Sequence, residues 1–238
     1  MTEEKTNPNK ESIEKFLESF RMASERKRLG LLNGLEQRVK ELHSLGANLM
    51  SGFDPDICDW TPGFILQLIH KTDDNFIKNT LNCNDLAWFH APSDVGFDYS
   101  PLQRYLLTES YEDADRFTSS KLRELAGDKA VKRGYVYFSE VESIPSIDLS
   151  TLDKLWVVYS RGKFGFTVQA KILDSLGGRY DKLWPRIGWK KDGIWTRYPK
   201  AFNWSIEAPN GHMPLVNQLR GVRLMDALLN HQGFKAKS

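Results

Sequence analysis

Apolar residues in this chain recur at steps of three and four along most of its length, and alternation at steps of two never lasts beyond a few positions. That periodicity is the signature of short amphipathic helices, each with one buried stripe. Ile13, Phe16, Leu17, Phe20 and Ala23 put one stripe on a helix expected to end near the charged run Glu25-Arg26-Lys27-Arg28. Leu31, Leu35, Val39 and Leu42 make a second, closed by Gly46. Thr61-Pro62 reads as an N-cap and first-turn proline for a helix through Ile69, and Phe76, Ile77 and Leu81 mark another. Further on, helical spacing covers 101–107 and 111–126, the latter stopped by Gly127. It returns over 149–159, where Ser150-x-x-Asp153 resembles a capping box, and over 166–176 before Gly177-Gly178. A last helix is expected from Pro214 to about Leu229. Tyr135-Val136-Tyr137-Phe138 is the best strand-like exception, so the class is all-α, with no internal repeat.

Charge divides the chain. Residues 1–94 carry 11 Lys+Arg against 15 Asp+Glu, a net of −4, and the rest carries 22 against 16, a net of +6. Five of the seven tryptophans, Trp156, Trp184, Trp189, Trp195 and Trp204, also fall in the basic part. The stretch 90–100, rich in Pro, Gly, Ser and Asp, reads as a linker. The expected organisation is therefore an accessory helical bundle over 1–94, a core domain over 95–232 and a tail over 233–238.

Several function classes find no support in the motifs. Apolar runs such as Phe64-Ile65-Leu66 are cut long before the roughly 18 residues of a spanning helix. The opening residues mix acids with lysines and resemble neither a secretory signal nor a transit peptide, so the chain is expected to act where it is made. Cys58 and Cys83 are too few and too far apart for a disulfide scaffold or a Cys-x-x-Cys pair, which favours a reducing compartment. His43, His70, His90, His212 and His231 stand singly, without metal-ligand spacing. No phosphate-binding glycine loop and no nucleophile elbow occurs. No catalytic residues and no metal site are expected.

Two features point to recognition. In the last helix, Asn217, Arg220 and Arg223 recur every third residue and share one flank opposite the stripe of Leu215, Leu219, Val222 and Leu229. Two guanidinium forks about one turn apart suit two carboxylates, and the same spacing equally describes a solvated helix face. Trp184, Trp189, Trp195, Tyr198, Phe202 and Trp204 are interleaved with Pro, Gly and Lys/Arg in segments too short to bury them all, so some are expected to line a groove. Rings with basic neighbours fit a flat acidic ligand or a single nucleic-acid strand, and composition does not separate the two.

Taken in order, the stretches ELAG (124–127), YFSEVESIPSIDLSTLDKLW (137–156), GKFGFTVQ (162–169), LWPRIGWKKDGIWTR (183–197) and APNGHMPLVNQLRGVR (208–223) resemble the genomes-uncoupled-four family over about residues 96–230. The resemblance implies an all-helical, cupped-hand core that binds protoporphyrin IX and magnesium protoporphyrin IX without being a catalyst. It implies activation of magnesium chelatase through that enzyme's large porphyrin-binding subunit, or, as the alternative, an adaptor with little ligand binding of its own. By matching motif, Arg220 and Arg223, with Asn217 beside them, fall at the porphyrin site, Phe138 and Val141 fall on the palm, and 205–213 corresponds to a mobile finger over the ligand. One departure concerns WTRYPK, where Tyr198 stands at a lid position that close relatives commonly fill with tryptophan. No cofactor in the catalytic sense and a monomer are expected, and with only +6 over the core no nucleic-acid partner is expected either. The implied setting is a plastid stroma or a cyanobacterial cytoplasm, at or near the surface of photosynthetic membranes.

Overall fold

The structure is a computed structural model that describes residues 12–73, 75–80, 87–216 and 222–234. Helix α1 (Ile13–Met22) starts at Ser12, whose hydroxyl accepts from the Lys15 amide, and buries Ile13, Leu17 and Phe20. It ends near the charged run, as expected, and that run forms the first turn of α2 (Glu25–Gln37). Arg28 explains why four charges can sit at that junction. Its guanidinium turns inward and donates to Asp59, to the Thr61 hydroxyl and to the carbonyls of Ala23 and Arg21. It thereby serves carbonyls that the end of α1 leaves open. The second stripe is split at Arg38 between α2 and α3 (Val39–Ser44), and of its four residues only Leu35 and Leu42 are fully buried.

Helix α4 (Trp60–Thr72) is capped by Asp59, which accepts from the Thr61 amide, so the cap lies two residues before the expected Thr61. Every residue from Trp60 to Ile69 is buried. A helix apolar all round must be covered all round, and α4 packs against α3, α5 (Phe76–Thr80), α6 (Ser100–Leu107) and α9 (Ser146–Val158). Gly63 permits the approach to α9, because a Cβ there would lie 2.2 Å from the Val158 carbonyl oxygen. Gln67 donates to the Leu106 and Tyr159 carbonyls at the ends of α6 and α9. The buried residues on both sides of residue 94 thus belong to one hydrophobic core.

The expected linker is held down by α9. Asp148 accepts from the Ser93 hydroxyl, the Asp94 amide and the Tyr99 hydroxyl. Helix α7 (Tyr111–Leu125) lies against α6, and α8 (Asp128–Arg133) ends at Gly134 in the left-handed region. The strand-like 135–138 stretch is not a strand but leads into a 3-10 helix, Phe138–Ser143. Ser150 and Asp153 do not form the expected capping box, since both lie inside α9. Ser150 donates to the Gly233 carbonyl, and Asp153 caps α10 (Phe166–Ser175) by accepting from the Thr167 amide and hydroxyl.

Helix α11 (Tyr180–Arg186) leads to a hairpin of β1 (Lys190–Lys191) and β2 (Ile194–Trp195), turned at Asp192-Gly193 with both φ angles positive. The last helix does not begin at Pro214, since residues 214–216 are not helical, and its described part, α12, spans Val222–Leu229. It packs on the 3-10 helix and on α10. Gly233 and Phe234, assigned to the tail, belong to a 3-10 helix, Gln232–Phe234, and Phe234 stacks on Phe166 at 5.8 Å.

Candidate ligand-binding site

A cavity of about 600 Å³ opens between α7, α12 and the segment after β2. Helix α7 supplies Asp115, Ser119, Leu122 and Arg123, because residues 115, 119 and 122 share one face. Gly134, Tyr135 and Val136 form a second wall, Trp195 through Tyr198 a third, and Leu215, Val216, Leu224 and Leu228 a fourth. The interior is dominated by aliphatic side chains and the rings of Tyr135, Trp195 and Tyr198, suited to a large apolar ligand. Arg123 and Arg197 border it, and neither is ion-paired with a carboxylate among the described residues.

The aromatic run splits into a packed part and a cavity part. Trp189 is fully buried, stacks on Trp184 at 5.6 Å with the rings nearly parallel, and donates its indole N–H to the His212 carbonyl. Trp204 donates to Pro199 O and packs with Phe202. Trp189 is buried and Trp204 half-buried, and both are held by the fold itself. Trp195, half-buried against Trp184, and Tyr198 reach the cavity. Tyr198 is 47% exposed and meets Phe202 and Trp204 edge-on.

The 205–216 segment is tied to the body rather than loose. Gly211 N donates to Lys163 O, and Gly165 N to Met213 O. Gln169 donates to the Gly211 and Pro214 carbonyls, and Lys163 to Ile206 O. His212 sits against Phe202, its Nδ1 within 2.6 Å of Ile187 O, and burial lowers its pKa.

Of the six residues singled out in the sequence, the structure brings one, Tyr198, into the cavity lining. Phe138 and Arg223 meet each other outside it, with the guanidinium 5.5 Å from the ring centroid and Phe138 46% exposed. Both belong to elements that also wall the cavity or lead into it: α12 carries Leu224 and Leu228, and the 3-10 helix precedes Ile144. Val141 is only 1% exposed and packs in the core. Asn217 and Arg220 lie outside the described residues.

Sequence reasoning missed Asp115, Arg123, Arg197 and Tyr135 at the cavity. For Asp115 the signal was present: Tyr111, Thr118 and Leu122 mark a buried stripe, and an acid stands on it. Asp115 is 1% exposed and accepts from the Leu215 amide at 2.7 Å, while its Oδ2 has no partner. Burial pushes its pKa up to about 7, against the opposing pull of the Leu215 amide and the nearby Tyr198 hydroxyl. Arg133, by contrast, is committed to Glu140 and to the faces of Tyr135 and Tyr137. No group of side chains among the described residues could hold a metal ion, and no described helix is long and apolar enough to cross a membrane.

A family model described as GUN4-like matches residues 92–232, which include every residue of the cavity lining. The chain is 44% identical over 170 residues to a Ycf53-like protein of Synechocystis, covering 71% of this chain and 73% of that protein. It is 35% identical over 145 residues to the chloroplastic tetrapyrrole-binding protein of Arabidopsis thaliana, covering 57% and 55%. Among solved structures it is similar to GUN4 from Chlamydomonas reinhardtii, with TM-score 0.58, 38% identity, and coverage of 61% of this chain and 95% of that one.

Proposed function

Since the chain belongs to the GUN4-like family, we propose that it is a non-catalytic tetrapyrrole-binding protein whose ligands are protoporphyrin IX and magnesium protoporphyrin IX. The observation that carries this reading is the cavity, whose apolar walls, three rings and bordering arginines fit a rigid apolar disk with carboxylates on one edge. Its volume of about 600 Å³ lies inside the range of roughly 300–1,000 Å³ of clefts that enclose small molecules. Burying about 300 Å² of apolar ligand surface at about 25 cal/mol/Å² supplies on the order of 7 kcal/mol. Each carboxylate held by an arginine adds about 1.5–3 kcal/mol, so the disk sets affinity and the arginines set orientation.

In this reading Tyr198 stacks on the ligand, Asn217, Arg220 and Arg223 hold its carboxylate edge, and Phe138 and Val141 shape the palm. The loaded protein activates magnesium chelatase through the large porphyrin-binding subunit. The 1–94 segment acts as an accessory bundle that braces the core through α4. The sources of the relatives, a cyanobacterium and a chloroplast, support a cyanobacterial cytoplasm or a plastid stroma as the setting.

A fluorescence titration tests the reading. Protoporphyrin IX and its magnesium complex are expected to quench tryptophan emission saturably, with Trp195 at the cavity as the nearest reporter. Absence of quenching at micromolar porphyrin, with chelatase-subunit binding that ignores the ligand, would leave the adaptor function standing in its place.

A further inference from the structure

Asp115 is poorly served by its own fold. It is 1% exposed, at the edge of the cavity, and only one of its oxygens closes a hydrogen bond among the described residues. The Tyr198 hydroxyl approaches the carboxylate without closing a well-formed bond to Oδ2. Buried carboxylate oxygens are ordinarily satisfied, and the exceptions ask for a reason. Leu122 and Leu215 beside it offer no side-chain donor, and the bordering arginines Arg123 and Arg197 are not among the main influences on its charge. The cavity is the side from which a donor can arrive.

The carboxylate also carries a sign. When ionised it repels the acidic edge of a tetrapyrrole, which the arginines attract, so the edge is turned away and the ring core is left over Asp115. The core is also where such a ligand carries its donors. Resting on the tetrapyrrole reading above, we propose that Asp115 is a ligand contact, accepting a hydrogen bond from a donor at the tetrapyrrole core: a pyrrole N–H, or a water held by a central metal ion.

Three probes separate these sources. Protoporphyrin IX carries inner N–H groups, magnesium protoporphyrin IX carries axial water, and square-planar copper(II) protoporphyrin carries neither while keeping the same disk and propionates. The variant is Asp115→Asn, which keeps an oxygen for the Leu215 amide and replaces the empty acceptor with a donor. It is titrated by Soret absorbance beside the wild type, with a thermal melt of each sample to establish that it folds. The expected result is a loss of about tenfold or more for at least one donor-bearing probe, in line with a charge-assisted bond, and no loss for the copper complex. Loss on protoporphyrin IX alone assigns the N–H, and loss on the magnesium complex alone assigns the water. Equal loss on all three, or loss on none, overturns the proposal while leaving tetrapyrrole binding intact. Failure of the wild type to bind any of the three removes the tetrapyrrole reading itself, and the proposal with it.

The wild-type chain gives a second measurement that does not depend on the variant. The charge on Asp115 is influenced by Glu112 and Arg116 on its own helix and by Tyr198 from the segment after β2, while the Leu215 peptide contributes a fixed N–H. An ionised carboxylate accepts better than a protonated one. The preference for the donor-bearing probe over the copper complex should therefore grow as pH rises from 6 to 8. Propionate titration is common to all the probes and cancels in that ratio. A ratio flat across this range contradicts the proposal.

Discussion

Converting Asp115 to asparagine should make the empty protein more stable above neutral pH, although it removes a buried side chain's charge-strengthened hydrogen bond. In the unfolded chain the carboxyl titrates near its ordinary 3.8, and in the fold burial raises it to about 7. Between those values the native state holds a proton that the unfolded state has lost, so stability falls as pH rises. The stability is fully present below 3.8 and is lost as pH passes through about 7. Roughly three pH decades at about 1.4 kcal/mol each set a ceiling of about 4 kcal/mol. Asparagine keeps an acceptor for the Leu215 amide but without the charge, which gives back about 1 kcal/mol, leaving a net gain of about 2–3 kcal/mol at pH 8. For a chain of this size that is a rise in melting temperature of about 4–12 °C. Urea or thermal melts of both proteins from pH 4 to 8.5, without ligand, measure the difference directly. A difference that does not change between pH 4 and 7, or a wild type that is the more stable at pH 8, would refute the burial account of Asp115.

Gly63→Ala should destabilise the fold by about 1–3 kcal/mol or more, read by urea midpoint, because the new methyl meets the Val158 carbonyl and forces α4 off α9. Gln67→Leu leaves the Leu106 and Tyr159 carbonyls without their donor and should cost about 1–3 kcal/mol in the same melts, where a neutral effect would mean water replaces the amide. Arg28→Ala strips Asp59 and two carbonyls of a shared donor, and the loss should appear as earlier proteolysis at the α1–α2 junction before any change in the cavity. Arg220→Ala combined with Arg223→Ala should weaken protoporphyrin binding by at least about tenfold while leaving the melting temperature within a few degrees, and an unchanged titration would exclude the pair from the ligand's acidic edge.

Much of the fold was legible because helix formation is signalled locally. Spacing placed α1, α6, α7 and α10 nearly as they stand, and Gly127 and Gly177 mark real ends, since a positive φ is written in the glycine itself. Caps were less legible. Thr61 and Ser150 have cap-like side chains, but Asp59 took the first role, and the hydroxyl of Ser150 was captured by a carbonyl 83 residues away. The split at Arg38 and the burial of α4 on every side likewise depend on neighbours that spacing does not name.

The ordered motifs were enough to point to the family, and periodicity alone to the helical class, because both are properties of residues near one another along the chain. The cavity is not such a property. Asp115 and the Leu215 amide it receives are 100 residues apart, and only their meeting makes one carboxylate oxygen satisfied and leaves the other without a partner. Whether a tryptophan packs or faces the cavity was decided the same way, by what the rest of the chain brought against it: Trp189 found the His212 carbonyl, whereas Trp195 remained half-buried at the opening. Burial and its electrostatic consequences come from long-range packing, so only the tertiary structure could settle them.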